Sequence, residues 1–165
     1  MTTERRQGKI SGLAAGLWMA LTLAALLGWS FDARAMRYVV INPHTGLAIS
    51  GFDPVAYFAD AHPRFGTPDF EFRYDGAVWR FGNEGNRAAF AEHPDIYMPQ
   101  FGGYDPVAIA RGVSVPGHPL IWLIADRHLY LFYSDEARAA FAKQPERVIQ
   151  GATRKWPVVA RTIAP

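Results

Sequence analysis

Cysteine is absent from all 165 residues. Disulfides, thiolate metal ligands and thiol nucleophiles are therefore excluded together. A chain of this length without covalent cross-links must be held by packing, and with half its residues hydrophobic and 14% aromatic it is equipped for that. A basic run is also missing from the body of the chain. The formal net charge is +2, and beyond the first 35 residues thirteen Lys and Arg face thirteen Asp and Glu. Nucleic-acid binding depends on clustered cations that displace condensed counterions, so a nucleic-acid partner is not expected. No Gly-x-Ser-x-Gly elbow, phosphate loop or dinucleotide fingerprint occurs. The five histidines share no i, i+4 spacing, which leaves zinc without a ligand motif. No low-complexity stretch or long linker divides the chain.

A long apolar run occurs in one place. Arg5, Arg6 and Lys9 precede an uncharged stretch from Ile10 to Phe31, and Ala33-Arg34-Ala35 follows. Basic start, apolar centre and small-x-small end are the pattern of a secretory signal, whose removal would leave Met36 as the first residue. The stretch is also long enough to span a bilayer, so residues 1–35 are read as a signal peptide or an N-terminal membrane anchor. Uncleaved, the segment makes the membrane a partner. Positive charge ahead of the apolar run places the body outside the cytoplasm in both cases, periplasmic or extracytoplasmic, secreted or membrane-anchored.

What remains is written twice. Gly51-Phe52-Asp53-Pro54-Val55-Ala56 returns as Gly103-Tyr104-Asp105-Pro106-Val107-Ala108, and Asn86-Arg87-Ala88-Ala89-Phe90-Ala91 returns as Ala137-Arg138-Ala139-Ala140-Phe141-Ala142, at a spacing of 52 and then 51 residues. Two copies are too few for a solenoid and must pack on each other. Residues 36–165 thus read as a single domain of two repeats, 51–102 and 103–152, with a C-terminal tail. In each copy Asp-Pro marks a helix start, Asp as N-cap and Pro at the first helical position. Phe70-Glu71-Phe72-Arg73-Tyr74 alternates like a strand with one buried face, Asp75-Gly76 is a two-residue hairpin turn, and Ala77 to Phe81 returns. The second hairpin, Leu120 to Ile124 and His128 to Phe132 around Asp126-Arg127, is apolar on both faces. This pattern predicts a place at the centre of a shared sheet, with the first hairpin nearer its edge. Helices follow over Glu84 to His93 and Asp135 to Lys143, capped by Asn83 and Ser134 and anchored by Phe90 and Phe141. Pro94 and Pro145 are expected to end them, and Gln150 to Pro165 to pack back as a clasp. The fold class is α+β: two tandem β-hairpin-plus-helix units in one small domain, preceded by an N-terminal hydrophobic helix.

Ser50-Gly51-Phe52-Asp53-Pro54-Val55-Ala56-Tyr57-Phe58, Phe90, the run from Pro94 to Tyr104 and Leu129-Tyr130-Leu131 resemble the exported bacterial YHS-domain proteins, over roughly Asn42 to Pro157. The resemblance implies a small α+β unit related to metal modules, one that accompanies heavy-metal transporters and some multicomponent oxygenases. It implies metal handling or accessory binding, and no reaction. Two departures matter. Gly82 and its neighbours stand where metal-binding relatives carry cysteine, and Asp105 follows Gly-Gly-Tyr where exported relatives have a thiol. Asp105 keeps the charge and the cap and discards the softness that a soft metal requires.

Asp53 and Asp105 occupy equivalent places, so the repeat either brings their carboxylates together as an acid/base or metal-binding pair or uses both as N-caps. Tyr57, Tyr97, Gln100 and Tyr104 either line a ligand pocket between the copies or bury their rings. His93 and Met98, beside Tyr97, are the residues a copper ion would use, the alternative being a helix-end histidine and a core methionine. The favoured function is a non-catalytic extracytoplasmic module that holds a ligand or metal or docks on a partner. The alternative is an enzyme using paired Asp53 and Asp105. No cofactor is indicated, and the partner is a small molecule, a metal or a protein.

Overall fold

The structure is a computed structural model and describes residues 38–163. The signal or anchor segment and its hydrophobic helix lie outside the described residues. Each copy opens on a turn wound against the preference of L-amino acids. Ile49, Ser50 and Gly51 have φ of 41°, 57° and 81°, and Phe101, Gly102 and Gly103 have 54°, 64° and 88°. A side chain in this region costs of order 1–2 kcal/mol, and only surrounding structure can hold it there. At Gly102 the reason for glycine is also steric, because a Cβ would lie 1.5 Å from the Tyr38 carbonyl oxygen. The turn reverses the chain so that Phe52 and Tyr104 bridge to Phe65 and Pro116.

Short helices α1 (Ala56–Ala59) and α4 (Pro106–Arg111) come next. Hairpin β1 (Thr67–Tyr74) and β2 (Ala77–Phe81) has its counterpart in β3 (His118–Ala125) and β4 (His128–Phe132). Both turns carry two consecutive positive φ values, at Asp75-Gly76 and at Asp126-Arg127, as a two-residue hairpin on twisted strands demands. The register breaks at the same place in each, between Thr67 and Glu71 and between His118 and Trp122. Helices α2 (Glu84–Glu92) and α5 (Asp135–Lys143) follow, with Asn83 Oδ1 accepting from Asn86 N at 2.8 Å and Ser134 Oγ accepting from Ala137 N at 3.2 Å. The chain is thus a mixed α+β protein with two antiparallel two-stranded sheets.

The shared sheet is not formed. Each hairpin is its own sheet, and the apolar character of the second has another cause. Leu129 and Leu131 of β4, with Trp122 and Ile124 of β3, pack into the central cluster of Trp79, Phe81 and Phe90. Tyr130 and Phe132, with Ile121 and Leu123, pack on the other side against Phe141 and Val107. The second hairpin is a wall between two cores, so both faces are buried without a flanking strand. The first serves one core only, and apart from Val78, which bridges to Leu47, its outward residues are polar.

The helices α2 and α5 end at Glu92 and Lys143, just ahead of Pro94 and Pro145 as expected, and the prolines also open the helices that follow. Each is the first residue of a new helix, α3 (Pro94–Tyr97) and α6 (Pro145–Arg161), where its missing N–H is no loss. The tail is accordingly a 17-residue helix that continues through Pro157. It buries Ala152 and Val159 beside Ile109 and Tyr104, with Gly151 close to Ala110. Among the described residues no helix is long and apolar enough to cross a membrane.

Candidate functional site

Asp53 and Asp105 are 1% and 2% exposed, and both are used up by the fold. Asp53 Oδ1 accepts from Val55 N at 2.9 Å and Ala56 N at 3.3 Å, while Oδ2 accepts from Gly82 N at 2.8 Å and Asn86 Nδ2 at 2.6 Å. Asp105 repeats the pattern with Val107 N at 2.8 Å, Ala108 N at 3.4 Å and Tyr133 N at 3.1 Å. One oxygen caps the helix; the other holds the backbone just past the hairpin. Each carboxylate serves its own copy, and no hydrogen bond joins the two among the described residues. The Gly82 N–H that Asp53 receives lies where the resemblance puts a thiol.

The tyrosines are divided among different places. Tyr57 is fully buried, edge-on to Trp122 at 5.3 Å, and its hydroxyl donates to the Pro119 carbonyl at 2.9 Å, which ties the first copy to the second. Burial, reinforced by the negative charge of Asp53, pushes its pKa well above the tyrosine range. Tyr104 lies in a different cluster against Trp156, ring centroids 6.0 Å apart, and burial raises its pKa as well. Tyr97 is half-buried and edge-on to Phe58, and Gln100 is half-buried at the start of the second left-handed turn. Met98 sits in the central apolar cluster at 5% exposure, whereas the His93 side chain is 56% exposed and 3.7 Å from Glu92. No group of three or more His, Asp and Glu stands ready to hold a metal ion among the described residues.

Of the six pocket candidates, Asp105 does line a cavity. It lies at the inner end of a space of about 290 Å³ bounded by α4 and the start of α5. A difference between the copies opens it: Asn86, whose amide fills the corresponding place and bonds Asp53, becomes Ala137. This cavity shares Arg111 and Glu136 with a larger groove of about 760 Å³ between α4, α5 and α6. Arg111, Lys143, Arg147 and Arg154 rim the groove, and Ala139, Ala140 and Val148 form apolar parts of its wall. These cations have no part in the motif shared by the copies. The signal was available in the differences: Lys143 replaces Glu92, Arg147 replaces Ile96 and Arg111 replaces Ala59. Comparison with known proteins finds no matching family model, no matching curated protein and no matching solved structure.

Proposed function

We propose that this chain is a non-catalytic binding module of the exported YHS-domain kind, two tandem hairpin-plus-helix units carried behind a signal or anchor segment. The first copy supplies scaffold and the second presents the ligand site. The observation that carries the reading is the groove between α4, α5 and α6. Its volume of about 760 Å³ falls within the range of ligand sites, and three of its four rim cations, Arg111, Lys143 and Arg147, are residues by which the second copy departs from the first. The paired-carboxylate enzyme draws less support, because the two carboxylates are held apart in their own copies by the protein's own N–H groups, four donating to Asp53 and three to Asp105, and make no pair.

The reading is tested by native mass spectrometry of the protein purified from its own compartment. A mass adduct that survives native ionisation and is lost on denaturation is the expected result. Protein that is bare in every preparation, together with a reaction that depends on Asp105 in a folded Asp105→Asn variant, would replace this reading with the enzyme.

A further inference from the structure

Some surface cations are paired and some are not: four unpaired ones line the groove, while Arg73, Arg127 and Arg161 stand unpaired elsewhere among the described residues. Arg64, Arg80, Arg87 and Arg138 each close an ion pair with a neighbouring carboxylate within 2.9 Å. Arg111, Lys143, Arg147 and Arg154 have no carboxylate partner among the described residues, and Arg147 makes only a 3.3 Å bond to Gln144. Glu136, the acid on the groove wall, takes a hydrogen bond from Ser134, which holds its carboxyl below the usual carboxylate range. Helix polarity accounts for some of these placements. Arg111 and Lys143 occupy the last turns of α4 and α5, where the dipole favours a cation. It does not account for Arg147, in the first turn of α6, where the dipole opposes a positive charge. Glu146 and the negative end of α5 offset the positive end of that helix, so the charge at this edge of the groove is carried by the side chains of Arg147 and Lys143, with Arg111 and Arg154 completing the rim.

Resting on the binding-module reading, we infer that this groove is an anion site for a multiply charged phosphate group on a partly apolar molecule. Three guanidinium forks and one ammonium suit phosphate oxygens, the forks in bidentate pairs and the ammonium as a point charge. The alanine and valine wall suits the apolar portion. A lipid headgroup and a soluble phosphoester share this chemistry.

The test titrates the protein with inorganic pyrophosphate at fixed ionic strength by calorimetry, and in parallel floats it with vesicles of phosphatidylglycerol or of phosphatidylcholine. Three forms are compared: the unmodified chain, Arg147→Glu/Arg154→Glu, and the control Arg87→Glu, with circular dichroism to establish that each is folded. Saturable pyrophosphate binding is expected, weakened about tenfold or more by the double charge reversal and unchanged in the control. Flotation on phosphatidylglycerol alone, competed by pyrophosphate and lost in the double variant, would identify a lipid as the source. Pyrophosphate binding without flotation would identify a soluble phosphoester. Pyrophosphate binding equal in all three forms, or none in any, overturns the assignment. An adduct retained in native mass spectra by the double variant would leave the binding module standing and remove the groove as its site.

Discussion

Removing the Asp53 carboxylate should cost more stability than any catalytic reading of this residue would lead one to expect. In Asp53→Ala the Val55 and Gly82 N–H groups, bonded at 2.9 and 2.8 Å, lose their acceptor in a setting where the aspartate itself is 1% exposed. A stranded donor costs roughly 1–3 kcal/mol, and loss of the helix cap is part of that sum. The Ala56 contact at 3.3 Å is weak, and the Gly82 N–H and the Asn86 amide, both part-buried, recover part of their loss from water. The total is about 2–4 kcal/mol, a large share of the ~5–15 kcal/mol that holds a domain folded. With urea slopes of about 1.5–2 kcal/mol/M, the midpoint followed by tryptophan fluorescence should fall by about 1–2 M. Asp53→Asn keeps the capping oxygen and turns an amide donor toward Gly82 N and Asn86 Nδ2, so it should fall between the two. Asp105→Ala loses fewer partners, Val107 N and the part-buried Tyr133 N chief among them, and should cost about 1–3 kcal/mol. A midpoint shift below about 0.5 M for Asp53→Ala, where several kcal/mol are expected, would refute the clamp.

The remaining predictions concern the core, a close backbone approach and alkaline pH. Trp79→Ala removes a fully buried ring 5.0 Å from Phe90 and should cost about 3–5 kcal/mol in the same urea assay. Gly117→Ala would bring a Cβ to 2.6 Å from Leu131 Cβ and 2.7 Å from the Gly103 carbonyl oxygen, so it should destabilise by about 1–3 kcal/mol although alanine leaves the unfolded chain less freedom than glycine. Because the folded state raises the pKa of Tyr57 above its ordinary 10.0, the unfolded chain gives up that proton first, and stability should fall as pH rises past 10.0. Tyr57→Phe should flatten that fall while losing the bond to Pro119, and a slope between about pH 9 and 11 that the substitution leaves unchanged would rule out the buried Tyr57 hydroxyl as its cause.

The local grammar of the fold was legible residue by residue. Asp-Pro, Asp75-Gly76, Asn83 and Ser134 report caps and turns that depend on a few neighbouring residues, and β2, β4 and α5 fall on the residues expected of them. The repeat likewise exposed matching elements, since equal spacing of Gly, Pro and Phe leaves little room for unequal structure. Proline ended α2 and α5 as read, but a residue that cannot continue one helix is well suited to begin the next, and that Pro145 opens a helix running into the tail shows only in the packing of α6 on α4. The left-handed turn at Ile49 and Ser50 carries no signal in its own residue types; the turn is held by its surroundings.

The sequence by itself determined that the chain packs without cysteine, that its body has no basic run, and that two related units follow one another. Tertiary structure alone decided the rest. Whether an apolar strand is flanked by other strands or by two cores depends on what lies beyond its faces, and β4 met two cores. Whether two equivalent aspartates meet depends on where their oxygens find donors, and each found them in its own copy. Four cations scattered from Arg111 to Arg154 became one rim because three helices converge, a proximity that no spacing along the chain encodes.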